Sequence, residues 1–418
     1  MKQGKRNSAL EPYRVLDLTD EKGFLCGKIL ADLGADVIKI EKPGGNSGRN
    51  IGPFNKDIPG LERSLYWLAY NSNKRSITLN IETSDGKQIF SQLVKEAGFV
   101  IESFPIGYME KLGLGFHDLN QLNRNVILIS ITPFGQTGPH KDYLASDIVS
   151  AAMGGGMFLT GDTDRPPVRI GVPQAELHAS TQAAAAAMIA HYHRQKTGRG
   201  QHVDVSIQQS LIMTTFNALA FWALHHEVVG RGGQYRTGLS TSVRLRQTWP
   251  CKDGYVSYIL IGGVLGAKDN RLLSKWMDDE EMGDELFRKF EWENLSIRDM
   301  TIELQQKLEE PLLNFFINHT KLELYEGAAK RGIKLYPVYT PQELLENPQL
   351  QARDFWIKME YPELSDNITF PGDFIKLSET PLRSNRRAPR IGEHNLEVYG
   401  ELGLTAREIV MLKEGKII

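Results

Sequence analysis

One acidic residue stands at the start of a helical pattern and could do covalent chemistry. The stretch PPVRIGVPQAELHASTQAAAAAMIAHYHRQKTGRGQ covers Pro166 to Gln201, and Glu176 lies where a strand or loop gives way to a long alanine-rich helix. A carboxylate there can act as a nucleophile, as a general base or as a charge that favours the helix start. It can also be a remnant without a function, so Glu176 alone leaves these interpretations open.

Other familiar catalytic motifs are missing from this sequence. It contains no GxxxxGK[ST], HExxH or GxSxG pattern and no set of kinase motifs. His191 and His193 are two residues apart and therefore cannot share a helix face as metal ligands. No metal site is expected.

The beginning of the chain invites a dinucleotide-binding interpretation. Val15–Leu18 and Val37–Ile40 have strand patterns on either side of a helical pattern, and Glu41 follows the second strand, where an acid could bind a ribose. The turn after the first strand, TDEKGF, lacks the glycine pattern that lets backbone approach a pyrophosphate. Its two acidic side chains would also repel phosphates, so NAD binding is not expected.

Alternating strand and helix patterns predict the fold class. The apolar strand candidates are Val15–Leu18, Val37–Ile40, Ile77–Leu79, Phe99–Ile101 and Val126–Ile131, and the helical patterns between them include Phe24–Leu33 and Asp85–Ala97. Strands separated by helices imply a parallel sheet that is covered on both faces. From about Val228 the pattern changes to a glycine-rich loop and charged helices such as Met300–Leu308, and short strands return from Pro337. We therefore predict an α/β protein with a smaller second domain.

Composition excludes several classes of protein. A chain of 418 residues favours two domains, and a net charge of only -2 gives no indication of nucleic-acid binding. Cys26 and Cys251 are the only cysteines, which argues against a disulfide framework and fits a reducing cytoplasm. The basic N-terminus lacks the apolar core of a secretory signal.

One uncharged run, Val205–His226, is long enough to span a membrane. It contains several polar side chains that a lipid-facing helix would not favour. We therefore predict a long buried helix at a domain or subunit contact.

Six segments in order resemble the class III CoA-transferases, the formyl-CoA and carnitine CoA-transferase family. They are LADLGADVIKIEKPGG (Leu30–Gly45), NSNKRSITLNI (Asn71–Ile81), SFPIGYMEKLGLG (Ser103–Gly115), ITPFGQTGP (Ile131–Pro139), RQKTGRGQHVDVS (Arg194–Ser206) and PRIGEHNLEVYGELGL (Pro389–Leu404). Each segment alone is modest, but their order along nearly the whole chain is specific.

The resemblance implies an architecture and a reaction. A large Rossmann-like domain would combine residues 1–225 and 335–418, with a smaller α+β domain, 226–334, inserted between them, and two subunits would interlock. An aspartate of the family attacks an acyl-CoA thioester, and acyl-aspartyl anhydride and aspartyl-CoA thioester intermediates carry CoA to a free carboxylate. CoA is then a substrate, and no permanently bound cofactor is implied.

The resemblance also indicates residues that could bind CoA. Cations in the matching segments could meet the CoA phosphates through charge-assisted hydrogen bonds, and Phe104 could lie against the adenine. Each cation could equally be a solvated surface residue, and Phe104 could be part of the core. The predicted CoA-binding residues are Lys42, Lys74, Arg75, Ser103, Phe104, Lys111 and Lys141.

Three residues or segments depart from the family pattern. The nucleophilic aspartate aligns with Glu176, whose extra methylene moves the carboxylate by roughly 1.5 Å, and attack geometry is sensitive to such a displacement. The family's AGP turn after the first strand is replaced by DEKGFLC, which adds Asp20 and Glu21 where CoA should pass. Ser103 stands where an asparagine is usual. These departures predict a site that is either altered or lost.

Two functions therefore compete. The chain is either a subunit that supports a catalytic partner of the same family, as in a heteromeric enzyme of aromatic degradation such as a benzylsuccinate CoA-transferase, or a self-sufficient homodimer with Glu176 as nucleophile. Succinyl-CoA would be a suitable CoA donor in either case. A third possibility, an acyl-CoA racemase of the same fold, is disfavoured because Ser146 occupies the position of the histidine that must precede Asp147.

Overall fold

A computed structural model of the chain describes residues 8–236, 244–295, 300–382 and 386–418. The described residues form two compact units. The first unit draws on Met1–Gly154, Gly171–Thr214 and Pro348–Ile418, and the second on Gly155–Ile170 and Thr215–Asn347. The predicted domain boundaries stay a prediction, because compactness does not show which segments fold independently.

The first unit is built around one six-stranded sheet. Its strands are β1 (Arg14–Asp17), β2 (Asp36–Glu41), β3 (Arg75–Thr78), β4 (Ala97–Glu102), β5 (Ile127–Thr132) and β6 (His202–Ser206). They lie in the order β3-β2-β1-β4-β5-β6, and every neighbouring pair is parallel. This is the strand order of the doubly wound dinucleotide-binding fold, so the predicted α/β fold with a parallel sheet is confirmed.

Continuous apolar runs explain why these segments form the sheet. Strand β5 has the sequence ILISIT, and all its residues are buried. Leu16 of β1 lies opposite Ile38 of β2 and Val100 of β4, and all three are buried. Parallel strands are covered on both faces and therefore carry apolar side chains at successive positions.

Helices accompany these strands along the chain. They are α1 (Phe24–Asp32), α2 (Leu65–Tyr70), α3 (Ser84–Glu96), α4 (Tyr108–Lys111), α5 (Phe116–Leu122), α6 (Asp147–Met153), α7 (Ala175–Thr197) and α8 (Ile207–Ile212). Gly34 follows α1 with φ of 97°, a conformation that glycine adopts without strain. The two helices predicted over Phe24–Leu33 and Asp85–Ala97 are therefore confirmed as α1 and α3.

The prediction of one long buried helix over Val205–His226 is wrong. Strand β6 ends at Ser206, whose hydroxyl accepts a hydrogen bond from the Gln209 backbone N–H and starts α8. A short 3-10 turn then separates α8 from α9 (Phe216–His225), in which no residue is buried. Within the four described ranges, no helix has both the length and the apolar character needed to cross a membrane.

The second unit has its own secondary structure and core. After α9 it contains α10 (Gly263–Asp279), α11 (Glu285–Lys289), α12 (Ile302–Ile317), α13 (Lys321–Arg331) and α14 (Pro341–Leu345), with strands β7 (Tyr235–Arg236), β8 (Leu245–Arg246), β9 (Thr248–Cys251), β10 (Gly254–Ser257) and β11 (Tyr336–Pro337). Strands β9 to β11 form an antiparallel sheet. The helix predicted over Met300–Leu308 is confirmed as the first part of α12.

The C-terminal segment belongs to the first unit. It contains α15 (Pro348–Ala352), the antiparallel hairpin of β12 (Trp356–Tyr361) and β13 (Asp366–Pro371), α16 (Asn395–Glu401) and α17 (Ala406–Glu414). The Thr78 backbone N–H donates to the Asn395 Oδ1 atom at 2.9 Å, and the Arg75 guanidinium contacts Glu397 at 2.9 Å. The last helices thus cover the edge strand β3.

A buried ion network holds the carboxyl end of β1. The Asp17 carboxylate contacts the Lys39 ammonium at 3.0 Å and the Lys74 ammonium at 2.8 Å, and it accepts hydrogen bonds from the Thr19 backbone and hydroxyl. Burial raises the pKa of Asp17, but the two ammonium groups outweigh it and hold that pKa well below its ordinary value. Burial likewise lowers the pKa of Lys74 to about 8, against the attraction of Asp17.

The ion network fills the space beside Gly27 of α1, so a larger side chain at this position should destabilise the fold. A Cβ atom on Gly27 would lie 2.3 Å from an Asp17 carboxylate oxygen and 3.0 Å from the Lys74 ammonium. Neither group can yield without losing a buried charge partner. Gly27→Ala should lower the free energy of unfolding by about 1–3 kcal/mol or more, measured by denaturant titration.

Gly400 in α16 is the matched control, because a Cβ there meets nothing within 4 Å. Gly400→Ala should leave stability unchanged or raise it by up to about 1 kcal/mol. Equal effects of the two substitutions would contradict the steric account.

Candidate active site

A cavity opens at the carboxyl ends of β1, β4 and β5. Its volume is about 430 Å³, and its walls are formed by Asp20, Lys22, Ser103, Phe104, Pro105, Ile106, Thr132, Pro133, Lys141, Asp142, Tyr143, Leu144, Ala145, Ser146 and Val149. Strands β1 and β4 lie side by side where the strand order reverses. In doubly wound sheets ligands bind in the crevice at that point, so the topology and the cavity identify the same place.

The turn after β1 and the residue after β4 are joined by side-chain hydrogen bonds. The Ser103 hydroxyl donates to the Asp20 Oδ1 atom at 2.7 Å, and the Asp20 backbone N–H donates to the Ser103 Oγ atom at 2.9 Å. The Lys22 ammonium forms an ion pair with the other Asp20 oxygen. Two of the three departures from the family pattern are therefore one interaction.

This pairing changes the expected charge of the turn. From the sequence alone, Asp20 and Glu21 are two negative charges that oppose a CoA phosphate. The structure gives Asp20 a cationic partner in the same turn, so the three side chains Asp20, Glu21 and Lys22 carry a formal charge of one negative unit instead of two. Repulsion at the turn is correspondingly weaker than the sequence alone suggested.

Glu176 lies in the first turn of α7. The charges of Asp147, Glu21 and Asp20 act on its carboxyl. The residue is only 6% exposed. The Asp147 Oδ1 atom accepts hydrogen bonds from the Ala175 N–H at 2.9 Å and from the Glu176 N–H at 3.4 Å. A carboxylate from the start of α6 thus satisfies backbone donors that the start of α7 leaves open.

Burial and neighbouring carboxylates shift the proton equilibrium of Glu176. Burial is the largest cause, followed by the charges of Asp147 and Glu21, and together they raise the pKa of Glu176 to about 7. The Lys22 charge acts in the opposite direction. Near neutral pH the Glu176 carboxyl is therefore present in both its ionised and its protonated form.

The cavity and Glu176 are neighbours. The Ser180 hydroxyl, one turn after Glu176 on α7, donates to the Lys22 backbone carbonyl at 2.7 Å. Ser146, which also lines the cavity, precedes the Asp147 that binds the start of α7. Two lining residues, Lys22 and Ser146, thus connect the cavity to the first turns of α7, where Glu176 lies.

The structure brings together three of the predicted CoA-binding residues. Ser103, Phe104 and Lys141 line the cavity, and the Phe104 ring lies 4.5 Å from the Tyr108 ring between centroids. Lys141 is exposed. These three residues could contact one ligand without a change of fold.

The other four predicted cations lie elsewhere. Lys42 is exposed and pairs with Glu82 at 2.8 Å, and Lys111 is exposed at the end of α4. Lys74 is fully buried against Asp17, and Arg75 is buried against Asp36, Glu397 and Glu401. Lys74 and Arg75 already form ion pairs with carboxylates. Neither side chain lines the cavity, so their positions suit structural ion pairs.

Two charged residues at or next to the cavity, Lys22 and Glu102, were not predicted from the sequence. Lys22 was not predicted, because only the negative charges of Asp20 and Glu21 were considered in this turn. The sequence TDEKGF does place the Lys22 cation directly after them. Glu102, the last residue of β4, accepts a hydrogen bond from the Phe104 N–H at 2.7 Å, and burial raises its pKa to about 7. Among the described residues, no group of three or more His, Cys, Asp or Glu side chains is arranged to hold a metal ion.

Comparisons with known proteins identify the family of the chain. A family model described as CoA-transferase family III matches residues 10–395. The chain is 35% identical over 399 residues to a succinyl-CoA:(R)-benzylsuccinate CoA-transferase subunit, BbsE, of Thauera aromatica, with 95% of each chain covered. It is 32% identical over 412 residues to a succinyl-CoA–D-citramalate CoA-transferase of Chloroflexus aurantiacus, with 98% of each covered.

A solved structure shares the fold. A CAIB/BAIF family protein from Brucella suis superposes with a TM-score of 0.79 at 29% identity, and the match covers 95% of this chain and all of that one, 100%. The similarity therefore extends over both compact units.

The pKa of Glu176 leads to a signed prediction about stability. Below pH 4.5, the ordinary value, the carboxyl is protonated in the folded and the unfolded chain alike. As the pH rises, the unfolded chain releases its proton first, and stability is lost until the pH passes the folded pKa of about 7. Glu176→Gln cannot ionise, so it should be more stable than the wild type at pH 8, by up to about 3 kcal/mol, and not at pH 4.

Denaturant titrations at both pH values measure this difference. The exposed Glu310 on α12 provides the control, since Glu310→Gln should change stability equally at pH 4 and pH 8. A Glu176→Gln variant with the same relative stability at both pH values would show that the Glu176 carboxyl ionises normally.

Proposed function

The chain belongs to CoA-transferase family III, and from that premise we propose that it exchanges CoA between an acyl-CoA and a carboxylic acid with Glu176 as nucleophile. The relatives named above act on CoA thioesters, so CoA is a substrate and not a resident cofactor. Both of their names specify succinyl-CoA and a dicarboxylic acid. We therefore propose succinyl-CoA as donor and a dicarboxylic acid as acceptor.

The proposed reaction has four steps, and the Glu176 carboxylate carries out the first. It attacks the thioester carbonyl, and the C–S bond breaks to give an acyl-glutamyl anhydride and CoA thiolate. The thiolate attacks the glutamyl carbonyl, releases the first acid as its carboxylate and leaves a glutamyl-CoA thioester. The second acid attacks that thioester to form a new anhydride, and the thiolate then attacks its acyl carbonyl, which restores the Glu176 carboxylate.

The mutual pairing of Ser103, Asp20 and Lys22 is the observation that carries this proposal. A site that had lost its function would have no reason to keep complementary partners from two different strands. Here the serine that replaces an asparagine and the aspartate that replaces a small residue bind each other, and the lysine neutralises the added charge. This supports an altered site over a lost one.

The raised pKa of Glu176 is compatible with nucleophilic attack. At a pKa of about 7 a substantial fraction of the carboxyl is ionised at neutral pH. An ionised carboxylate held among Asp147 and Glu21 is poorly stabilised, which favours its conversion into a neutral anhydride or thioester. We expect the rate of transfer to rise with pH through 7.

CoA contacts follow from the cavity. We propose that the adenine lies against Phe104 and that the Lys141 ammonium binds a phosphate, since both line the cavity. The exposed Lys42 and Lys111 could reach the outer phosphates. The buried cysteines Cys26 and Cys251 support the expectation of a reducing, cytoplasmic location.

A second candidate function places the chemistry on a related subunit. The relative from Thauera aromatica is named as a subunit, and the extra methylene of Glu176 lengthens the reach of its carboxylate by roughly 1.5 Å. In this case a partner chain with an aspartate would carry out the transfer, and this chain would stabilise the assembly.

Both candidates include an interlocked pair of chains. The apolar side chains of α9 support this proposal, because Phe216, Leu219, Trp222 and Leu224 are 52–76% exposed in the single chain. Exposed apolar surfaces of this kind are typical of protein contacts.

Two substitutions of Glu176 distinguish the candidates. If Glu176 is the nucleophile, Glu176→Gln should lower kcat with succinyl-CoA by at least about 10³-fold in the purified complex, and Glu176→Asp should retain measurable transfer. The control is Glu310→Gln, which should transfer CoA like the wild type. Full activity of Glu176→Gln would exclude the nucleophile and leave the partner as the catalytic chain.

Native mass spectrometry of the purified complex with and without acyl-CoA tests the assembly. A complex made only of this chain that transfers CoA is the result expected for a self-sufficient enzyme. A second related chain in the complex, with transfer lost when it is removed, would instead support the partner function.

A further inference from the structure

One of the two lysines that line the cavity lies at the end next to α7. Lys22 and Lys141 both line the cavity, and Lys22 also contacts α7 through the hydrogen bond from the Ser180 hydroxyl to its backbone carbonyl. The Lys22 side chain is 17% exposed, and its charge acts on the Glu176 carboxyl. Lys22 is therefore a lining cation whose charge reaches the proposed nucleophile.

Carboxylates surround that end of the cavity. Asp147, Glu21 and Asp20 all act on the Glu176 carboxyl as like charges, and Lys22 acts on it as an opposite charge. A dicarboxylic acid that reacts through one end still carries a negative charge at its other end. Without a cation, three neighbouring carboxylates would repel that charge.

Lys22 can change partners at low cost. Asp20 now binds its ammonium, but Asp20 also accepts hydrogen bonds from the Ser103 hydroxyl at 2.7 Å and from the Lys22 N–H at 3.2 Å. These two bonds remain when the ammonium moves away. Asp20 therefore keeps two hydrogen bonds when the Lys22 ammonium binds another carboxylate.

We propose that Lys22 is a specificity-determining residue that binds the non-reacting carboxylate of a dicarboxylic substrate, displacing Asp20. The inference rests on the proposed function only for the identity of the reaction. The selection of a dicarboxylate over the monocarboxylate of equal length follows from the charge of Lys22, which acts on the Glu176 carboxyl. The ligand class is thus a short aliphatic dicarboxylate.

Kinetics of the purified complex with isotopically labelled succinate and butyrate as alternative acceptors, and unlabelled succinyl-CoA as donor, test the proposal. Lys22→Met should lower kcat/KM for succinate by about 10–100-fold more than for butyrate, the usual effect of losing one charge-assisted contact, since the change around Glu176 affects both acceptors alike. Lys22→Arg should keep the preference for succinate. Lys95→Met, on an exposed lysine at the end of α3, is the control and should leave both acceptors unchanged.

The KM of the Asp20→Asn variant for succinate distinguishes a binding role of Lys22 from a purely structural one. The asparagine keeps an acceptor for the Ser103 hydroxyl but no longer holds the ammonium, so the KM for succinate should fall severalfold. Equal losses for succinate and butyrate in Lys22→Met, or no loss for either, would overturn the proposal.

Calorimetric binding of succinate to the same complex separates this inference from the proposed function. If the complex transfers no CoA but binds succinate more tightly than butyrate, and Lys22→Met removes the difference, the proposed function fails and the assignment of Lys22 stands. If succinate and butyrate bind equally, or neither binds, the assignment fails whether or not transfer occurs.

Discussion

The buried contact of Asp17 with two lysines determines how the site is built. Asp17 ends β1, and its carboxylate lies between the Lys39 and Lys74 ammonium groups with no exposure to solvent. Removing the carboxylate would leave two buried ammonium groups without their counter-ion, and an unpaired buried charge typically costs several kcal/mol. Thr19 is held by the same carboxylate, so the turn that follows begins from a fixed position.

That fixed turn connects the sheet to the reacting carboxyl. Asp20 meets Ser103 after β4, and Lys22 meets Ser180 on α7. These two contacts join the turn after β1 to the end of β4 and to α7, and Glu176 lies one turn before Ser180. A change at Ser103 or in the turn is therefore transmitted to the surroundings of Glu176, which explains why these departures from the family pattern occur together.

The fold could be predicted from the sequence, whereas the partners of the charged residues could not. Apolar runs and helix ends gave five strands and several helices, because both signals are local. The contacts of Lys74 with Asp17 and of Ser103 with Asp20 span 57 and 83 residues, and no local pattern encodes them. For the same reason the sequence did not show that Asp17 binds Lys74 or that three carboxylates bind Arg75. The prediction of one long buried helix over Val205–His226 was wrong because a 3-10 turn at Met213–Thr215 divides the run into two helices, and the second has no buried residue.

Covalent trapping at Glu176 tests the central claim most directly. The purified complex would be incubated with succinyl-CoA, quenched with hydroxylamine and digested, and its peptides examined by mass spectrometry. The account predicts a hydroxamate on the peptide that contains Glu176, because both the anhydride and the thioester intermediates react with hydroxylamine at that carbonyl. An unmodified Glu176, with the hydroxamate on an aspartate of another chain, would contradict it.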